Sequence, residues 1–232
     1  MIENPPVLTI RRNVTRPAAD LIDALAGTPT GFLVDCMGGR GGLDYRIKPL
    51  RAPGTAPAGF TGPAVTCHTG PDNNLAVFGA LDLARPGDVI VIATDGFTGS
   101  AVIGDNMVGM ARNKGVAAIV TDGLARDAEG ILGYGLPVYC RGVTPNSAAR
   151  NGPGTVGLPI TVERVVVESG DVLVGDGDGA VVIPSHIVEA VIGRLAAVRE
   201  AETALGDKIR GGLALPEFVG PLLASDKVRY VD

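Results

Sequence analysis

The chain has 232 residues, enough for one domain with extensions or at most two small domains. Aromatic residues make up 4% of the chain and tryptophan is absent, so the sequence offers little for stacking bases or sugars and favours a small, polar ligand. The net charge of -5, with lysines and arginines scattered singly, disfavours nucleic acid as a partner.

The cysteines indicate a reducing compartment. Cys36, Cys67 and Cys140 lie far apart and form none of the short spacings that close a zinc site, so we interpret them as reduced core thiols. The N-terminal residues contain acids and prolines where a signal peptide would be apolar, and no apolar run approaches ~18 residues. We therefore expect a soluble, cytoplasmic protein without a membrane partner.

The first predicted element is a helix in AADLIDALAG at 18 to 27, with Thr15 as its cap and Gly27 at its end. The next segment, 30 to 63, is rich in glycine and proline. It includes GGRGG at 38 to 42, which lacks the strand and helix that a dinucleotide-binding fingerprint requires.

Strand-like and helical patterns alternate in the middle of the chain. They are AVTCHT at 64 to 69, NNLAVFGALDLA at 73 to 84, DVIVIA at 88 to 93, NMVGMARNKG at 106 to 115, and VAAIVTDG at 116 to 123. This alternation predicts an α/β fold. After Pro137 the runs are mostly strand-like, and from 186 to about 204 apolar residues return at helical spacing. The last segment predicts a C-terminal helical arm.

One sequence pattern occurs twice. GDVIVIATDG at 87 to 96 matches GDVLVGDGDG at 170 to 179 at the positions G-D-V-[IL]-V and then D-G. The aspartates could bond turn amides before two similar strands, or they could lie at the edge of a site. Both interpretations stay open.

The segment from 104 to 127 carries the clearest chemistry. A helix from 105 to 114 would be ~15 Å long, and the following strand returns ~20 Å after a turn at Gly115. This geometry predicts that Asp105 and the first amides of the helix face the loop that carries Arg126 and Asp127.

Free helix amides and an arginine fork attract a carboxylate, and an aspartate is a hard oxygen ligand for Mg2+ or Mn2+. A metal that chelates a 2-oxo acid could stabilise the enolate formed when a C–C bond breaks, as in a metal-dependent aldolase. Imine chemistry is weaker, because the chain has only four lysines and Lys114 falls at the far helix end. A surface ion pair of Arg126 with Asp127, and Asp105 as a helix cap, remain the structural alternative.

These residues resemble a known signature. Asp105, twenty intervening residues and then Arg126-Asp127 match the D-x20-R-D pattern of the RraA-like family, which includes 4-hydroxy-4-methyl-2-oxoglutarate/4-carboxy-4-hydroxy-2-oxoadipate aldolases. The similarity extends through IKPL at 47 to 50, TGPAVTC at 61 to 67, PDNN at 71 to 74, PGDVIVI at 86 to 92 and GDGDGAVVIP at 175 to 184. It covers most of the chain.

The resemblance implies a layered α/β/β/α domain of the swivelling type at 1 to 185. A C-terminal helical extension at 186 to 232 would pack on a neighbouring subunit of a homotrimer or hexamer. It also implies a lyase that cleaves 4-hydroxy-2-oxo acids to pyruvate through a metal-bound enolate, with oxaloacetate decarboxylation as a second activity. The alternative within the family is a regulator that inhibits ribonuclease E by protein contact.

The resemblance also assigns site residues. Asp127 would bind Mg2+ or Mn2+, and Arg126 would bind the pyruvyl carboxylate and stabilise the enolate. Asn106 and Met107 would donate backbone amides to the substrate, and Gly104 would let the substrate approach closely.

Three further acids are implied. Asp105 would hold metal-bound waters or transfer a proton. From a neighbouring subunit would come Asp35, in place of the usual glutamate, and either Glu202 or Glu200 on the C-terminal helix.

Other chemistries have little support in the sequence. No nucleotide-type cofactor loop supports the methyltransferase function that has been attached to this family by name. His68 and His186 each stand alone beside strand-like sequence, which favours structural roles. Ser100 lacks the G-x-S-x-G setting of a serine hydrolase.

Overall fold

The computed structural model describes residues 6–56 and 59–231. Within these ranges the strands are β1 (Leu8–Ile10), β2 (Lys48–Pro49), β3 (Phe60–His68), β4 (Val89–Ala93), β5 (Ala101–Ile103), β6 (Ala118–Thr121), β7 (Leu124–Ala125), β8 (Val138–Cys140), β9 (Gly154–Val156), β10 (Ile160–Val162), β11 (Val165–Val167), β12 (Val172–Gly175) and β13 (Ala180–Ile183). The α-helices are α1 (Ala19–Leu25), α2 (Thr30–Cys36), α3 (Leu75–Leu83), α4 (Asp105–Asn113), α5 (Ala128–Tyr134), α6 (Val188–Arg210) and α7 (Val219–Leu223).

The main sheet is built on four adjacent parallel strands, β3, β4, β6 and β8. Strands β4 (VIVIA) and β6 (AIVT) are buried along their whole length. Uninterrupted apolar runs of this kind are typical of parallel strands covered on both faces. The antiparallel strands β9 and β2 flank the parallel group next to β3 and β8, respectively.

Strand β3 also belongs to a second sheet. Its first half pairs antiparallel with β12, from Phe60 opposite Gly175 to Pro63 opposite Val172. Its second half, from Ala64 onward, pairs parallel with β4. Strand β12 continues the second sheet through its antiparallel pairing with β13. One nine-residue strand therefore joins the two sheets.

The core shows that these sheets form the two middle layers of a four-layer domain. Along β4, Ile90 and Ile92 pack in one core cluster with α3, α4 and α5, whereas Val89 and Val91 pack in a second cluster with β12 and β13. Alternate side chains of a strand face opposite ways. The outer face of β12 and β13 packs against α1, α2 and α6. The predicted α/β/β/α layering is confirmed.

The start of α1 differs from the prediction. The helix begins at Ala19, and its cap position, Ala18, has no side-chain cap hydrogen bond, so Thr15 is not the cap. Arg16 explains the difference, because its Nε and Nη2 atoms donate to the two carboxylate oxygens of buried Asp88 at 2.7 and 2.6 Å. This ion pair ties the segment before the helix to the start of β4. Gly27 has a left-handed φ of 68° and ends the helical turn, as predicted.

Helix α2 lies in the glycine- and proline-rich segment and was not predicted. Thr30, its first residue, donates from its backbone amide and its hydroxyl to the carboxylate of Asp176, at 2.8 and 2.9 Å. Its buried residue Leu33 packs among α6 and the second sheet. This seven-residue helix therefore depends on tertiary contacts more than on its local sequence.

For the first aspartate of each repeat, Asp88 and Asp171, the structural interpretation is confirmed. Asp88 accepts a hydrogen bond from the backbone amide of Arg85 at 2.7 Å, and Asp171 accepts one from Glu168 at 2.9 Å. Each aspartate thus bonds the amide three residues before it and closes the turn that precedes a buried strand.

The predicted C-terminal helix is present as α6. Its first turns are part of the core of this chain, where Val188, Val191 and Leu195 are buried. Farther along, Leu205 and Phe218 are exposed. Packing of this extension on a neighbouring subunit stays a prediction.

The three cysteines are free and buried, as the prediction of core thiols requires. Burial raises the pKa of the Cys67 and Cys140 thiols, which keeps them protonated. Across residues 6–56 and 59–231, none of the helices is both long and apolar enough to span a bilayer.

The ion pair between Arg16 and Asp88 leads to a stability prediction. We expect Arg16→Met to lower the free energy of unfolding by about 2 to 4 kcal/mol, because the buried Asp88 carboxylate would lose its charged partner. Urea denaturation followed by circular dichroism measures the change. Arg12→Met is the control, because Arg12 is exposed. Equal losses in the two variants would contradict this account of the ion pair.

Candidate active site

The predicted site residues meet where two short strands end. Strands β5 and β7 pair in parallel, with Ala101 opposite Leu124 and Ile103 opposite Ala125. The backbone amide of Arg126 donates to the carbonyl oxygen of Ile103 at 3.0 Å. Because parallel strands end at the same edge, the residues after β5 lie beside those after β7. We call Gly104, Asp105, Asn106, Arg126 and Asp127 the catalytic corner.

Arg126 and Asp127 form an ion pair on the surface of the corner. Arg126 Nε lies 3.3 Å from Asp127 Oδ2, and the two side chains are 36% and 47% exposed. A methyl group on Gly104 would lie 3.1 Å from Asp127 Oδ2 and 3.3 Å from Arg126 Nε. Glycine at this position leaves space beside both charged groups, as the close approach of a substrate requires.

Asp105 is the first residue of α4, and Gly104 occupies the cap position, so the interpretation of Asp105 as the helix cap is wrong. Asp105 Oδ1 instead accepts a hydrogen bond from the backbone amide of the next residue, Asn106, at 2.6 Å. The Met107 side chain is buried in the core, so only its backbone can face the corner. Amides in the first turn of a helix have no acceptor within the helix.

Helix α5 also packs against the corner, and this contact was not predicted from the sequence. Its cap residue, Asp127, has a left-handed backbone with φ of 59°. One turn later, a methyl group on Gly130 would lie 2.8 Å from Asp105 Cβ and 2.9 Å from Asp105 Oδ2. The glycine therefore lets α5 pack directly against Asp105. Glycine inside a helix lowers the stability of the helix, so a glycine at such a position indicates that a neighbouring group packs closely there.

A buried carboxylate fixes the chain before the corner. Asp122 accepts hydrogen bonds from the Thr94 amide at 2.7 Å, the Thr94 hydroxyl at 2.9 Å and the Gly96 amide at 2.9 Å. Burial raises the pKa of Asp122, and the bonds from Thr94 and Gly96 oppose that shift. These bonds join the end of β4 to the end of β6, just before β7 leads into Arg126.

Asp35 and Glu202 lie elsewhere in the chain. Asp35 is on α2 and Glu202 is on α6, and both side chains are exposed. Helix α2 covers the outer face of the second sheet, whereas α4 covers the outer face of the main sheet. Packed sheets are ~10 Å apart, so Asp35 cannot reach the corner of its own chain. Glu202 lies on the part of α6 beyond Val198, the last residue of this helix that packs on the second sheet. The same is true of Glu200, which is also on α6.

The residues considered for other chemistry have structural partners. Lys114 follows the last residue of α4 and donates to the carbonyl of Asp82 at 3.3 Å. Ser100 donates to Asp72 Oδ1 at 2.7 Å. His68 Nε2 lies 2.9 Å from Asp95 Oδ1, beside a cavity of about 580 Å³ that both residues line. None of these residues belongs to the catalytic corner.

The donor set of the corner suits some metals better than others. Asp105 and Asp127 provide hard carboxylate oxygens. In the described part of the chain, no group of three or more histidine, cysteine, aspartate or glutamate residues is placed to hold a metal ion. One or two carboxylates with an open face fit Mg2+ or Mn2+, which retain waters and take substrate oxygens, better than a closed zinc site.

Comparison with known proteins finds relatives that match most of the chain. A protein from Halalkalibacterium halodurans, provisionally named a 4-hydroxy-4-methyl-2-oxoglutarate aldolase, is 37% identical over 173 residues, which cover 75% of this chain and 80% of the relative. The crystal structure of an uncharacterized protein from Pseudomonas syringae pv. tomato matches with a TM-score of 0.75 and 28% identity, covering 87% of this chain and 93% of that one.

A third relative is described by a different activity. RraAS2 from Streptomyces coelicolor, described as an unusual member of the RNase ES inhibitor RraA protein family, matches with a TM-score of 0.71 and 28% identity. The match covers 84% of this chain and all of that one (100%). The model of the RraA-like family, described as Aldolase/RraA, matches residues 18–182. Because this match spans most of the fold and includes the whole catalytic corner, the chain belongs to the RraA-like family.

Proposed function

We propose that this protein is a divalent-metal-dependent lyase that releases pyruvate from 4-hydroxy-2-oxo di- or tricarboxylic acids and also decarboxylates oxaloacetate. The observation that carries the proposal is the corner itself, where Arg126, Asp127 and the start of α4 share one open surface. The aldolase names of relatives such as the Halalkalibacterium halodurans protein support a lyase at the family level. The free, buried cysteines suit the reducing cytoplasm.

Substrate binding would use the positive elements of the corner. The Arg126 guanidinium can bind a carboxylate through two parallel hydrogen bonds. The amides of Asn106 and Met107 lie at the positive end of the α4 dipole and would orient the same group. Asn106 donates to Asp105 in the structure, so substrate would compete with that bond.

The charge balance of the corner supports metal dependence. Asp105 and Asp127 carry two negative charges against the single positive charge of Arg126. A corner with this net charge would repel an anionic substrate. A divalent cation would reverse the sign, so we expect the substrate to bind weakly until the cation is present.

Asp127 would hold the cation directly, and Asp105 would hold it through water. The bound cation would supply a Lewis acid that polarises the 2-oxo group of the substrate. Arg126 would then compensate the negative charge that develops on the substrate as the C–C bond breaks. Asp105, held by the Asn106 amide and by α5, would hold or transfer the proton that the cleavage requires.

We propose that a neighbouring subunit completes the site. The corner is open to solvent, and Asp35 and Glu202 are exposed on two other helices, α2 and α6. In a homotrimer, or in a hexamer built from two trimers, Asp35 and Glu202 (or Glu200) of one chain would face the corner of the next. Their carboxylates would bind waters or protons near the bond that breaks.

A regulatory function is the second candidate. The observation in its favour is the match to the full length of RraAS2, a member of an RNase ES inhibitor family. In that case the chain would bind a ribonuclease E-type enzyme through its surface and lower the rate of RNA cleavage. A pull-down with the ribonuclease and an RNA cleavage assay test it. Inhibition that persists in Asp127→Ala would favour this function over the lyase.

The first catalytic prediction concerns the metal ligand. We expect Asp127→Asn to lower kcat/KM for pyruvate release by about 100-fold or more, because the neutral amide is a poor ligand for a hard cation. Pyruvate is measured with lactate dehydrogenase and NADH, from oxaloacetate and from 4-hydroxy-4-methyl-2-oxoglutarate, with Mg2+, Mn2+ or EDTA. Blanks without enzyme correct for spontaneous decarboxylation.

The matched control is Glu129→Gln, which removes an exposed carboxylate two residues away in the first turn of α5. It should retain full activity. Calorimetric titration with Mn2+ should show binding to the wild type and to Glu129→Gln, and weaker binding to Asp127→Asn. Equal Mn2+ affinity in all three proteins would refute the role of Asp127, and absence of turnover from both substrates would refute the lyase.

A second prediction tests how α5 positions Asp105. Gly130→Ala would place a methyl group 2.8 Å from Asp105 Cβ and 2.9 Å from Asp105 Oδ2, which is too close for either atom, so Asp105 or α5 must shift. We expect about a tenfold loss of kcat/KM, because small misplacements of catalytic groups are costly. Gly133→Ala, in the same helix with nothing within 4 Å, should leave kcat/KM unchanged. Similar kinetics for the two variants would contradict the positioning role of Gly130.

A further inference from the structure

A cavity of about 640 Å³ lies at the edge of β13, between the β10–β11 hairpin and helices α2 and α6. Four basic side chains from separate parts of the sequence line it: Arg40, Arg164, His186 and Arg194. Apolar residues, including Val165 and Val166, line it as well, and Val166 is 58% exposed. We call it the arginine cavity. Its volume lies within the range of pockets that bind small molecules.

The glycine-rich loop GGRGG places Arg40 at the cavity. A methyl group on Gly41 would lie 2.6 Å from the carbonyl oxygen of Val182, so only glycine lets the loop run this close to β13. The Val182 amide donates to the Gly41 carbonyl at 2.9 Å and fixes the contact. This motif lacks the setting of a dinucleotide fingerprint, and its glycines instead hold Arg40 against the strand.

Two other arginines reach the cavity from different elements of the fold. Arg194 Nη1 donates to the carbonyl oxygen of Cys36 at the end of α2, at 2.8 Å. Arg164 lies in the turn between β10 and β11, directly after Glu163, whose backbone is left-handed with φ of 56°. A loop, a turn and a helix therefore each place one guanidinium at the same cavity.

Acidic residues are absent from the lining of the cavity, although Asp171 lies close enough to His186 for an electrostatic interaction. The whole sequence has 25 acidic and 20 basic residues, yet the lining of this cavity includes no aspartate or glutamate. Within residues 6–56 and 59–231, the ion pairs involve none of Arg40, Arg164 and Arg194. Uncompensated guanidinium groups around a concave, partly apolar surface attract a multivalent anion.

We propose that the arginine cavity binds a small organic anion that carries two or more negatively charged groups. The guanidinium groups would bind the charges, and Val165 and Val166 would contact a short carbon skeleton. The residues that line the cavity include none from the catalytic corner, which lies next to α4 and α5 on the other face of the main sheet. Within one chain the cavity is therefore separate from the catalytic corner, and it adjoins Asp35, because Arg194 bonds the carbonyl oxygen of the next residue, Cys36.

Isothermal titration calorimetry of the full chain tests the proposal, without added metal. Tricarballylate is the polycarboxylate probe, 2,3-bisphosphoglycerate is the phosphate probe, and acetate is the monovalent control. We expect saturable binding of at least one multivalent probe, with one site per chain, and no binding of acetate. Affinity should fall as salt is raised, because the partners are charged and the cavity is open to solvent. The two probes distinguish a carboxylate ligand from a phosphate ligand.

Substitutions locate the binding. Arg40→Gln and Arg164→Gln should each weaken binding of the probe by about tenfold or more, because each removes a charge-assisted hydrogen bond. Arg112→Gln, an exposed arginine on α4, and Arg126→Ala, in the catalytic corner, should bind as the wild type does. Thermal unfolding of each variant verifies the fold, and the charge reversal Arg164→Glu gives an independent second test.

Two outcomes would overturn the proposal. One is no saturable binding of either multivalent probe to the wild type at millimolar concentration. The other is evidence that the anion binds elsewhere in the chain. Binding that survives in folded Arg40→Gln and Arg164→Gln variants, or that is lost in Arg126→Ala, would be such evidence.

Discussion

Strand β3 is the element that both sheets share, and the positions of the outer helices follow from it. Its first half pairs with β12 and its second half pairs with β4. Its side chains divide accordingly: Val65 and Cys67 pack with α3 and α4, whereas Ala64 faces the second sheet. Because one strand belongs to both sheets, the sheets must pack face to face, and α4 with α5 must lie outside opposite α2 with α6.

The catalytic corner depends on backbone contacts more than on contacts between its charged side chains. Strands β5 and β7 have three and two residues, so their pairing is weak alone. Asp122 strengthens it through three hydrogen bonds to the turn after β4. Gly104 then keeps the space beside Asp127 open, and Gly130 lets α5 pack directly against Asp105. Rigid backbone supports and small residues are what let three partly exposed charged groups adopt a defined arrangement.

Apolar patterns in the sequence correctly predicted the strands and helices that do not depend on a hydrogen bond from a distant residue. Strand β4 and helix α4 have clear apolar patterns and lie where they were expected. Helix α2 could not be predicted, because Asp176, 146 positions from Thr30, holds its first residue. The prediction of Thr15 as the cap of α1 was wrong for a similar reason, because Arg16 bonds with the distant residue Asp88. The D-x20-R-D spacing predicted the corner, but no local pattern shows the contact of Gly130 with Asp105.

The layered fold also limits how chains can combine if Asp35 completes the site. Asp35 and the corner lie on opposite outer layers, with two sheets between them. A two-fold interface pairs the same patch on both chains, and a single patch cannot contain both faces. Contact between Asp35 of one chain and Asp127 of the next must therefore be head-to-tail. Head-to-tail contacts form closed rings or open filaments. A site completed in this way fits a closed ring such as a trimer, or an open filament, and does not fit a simple two-fold dimer.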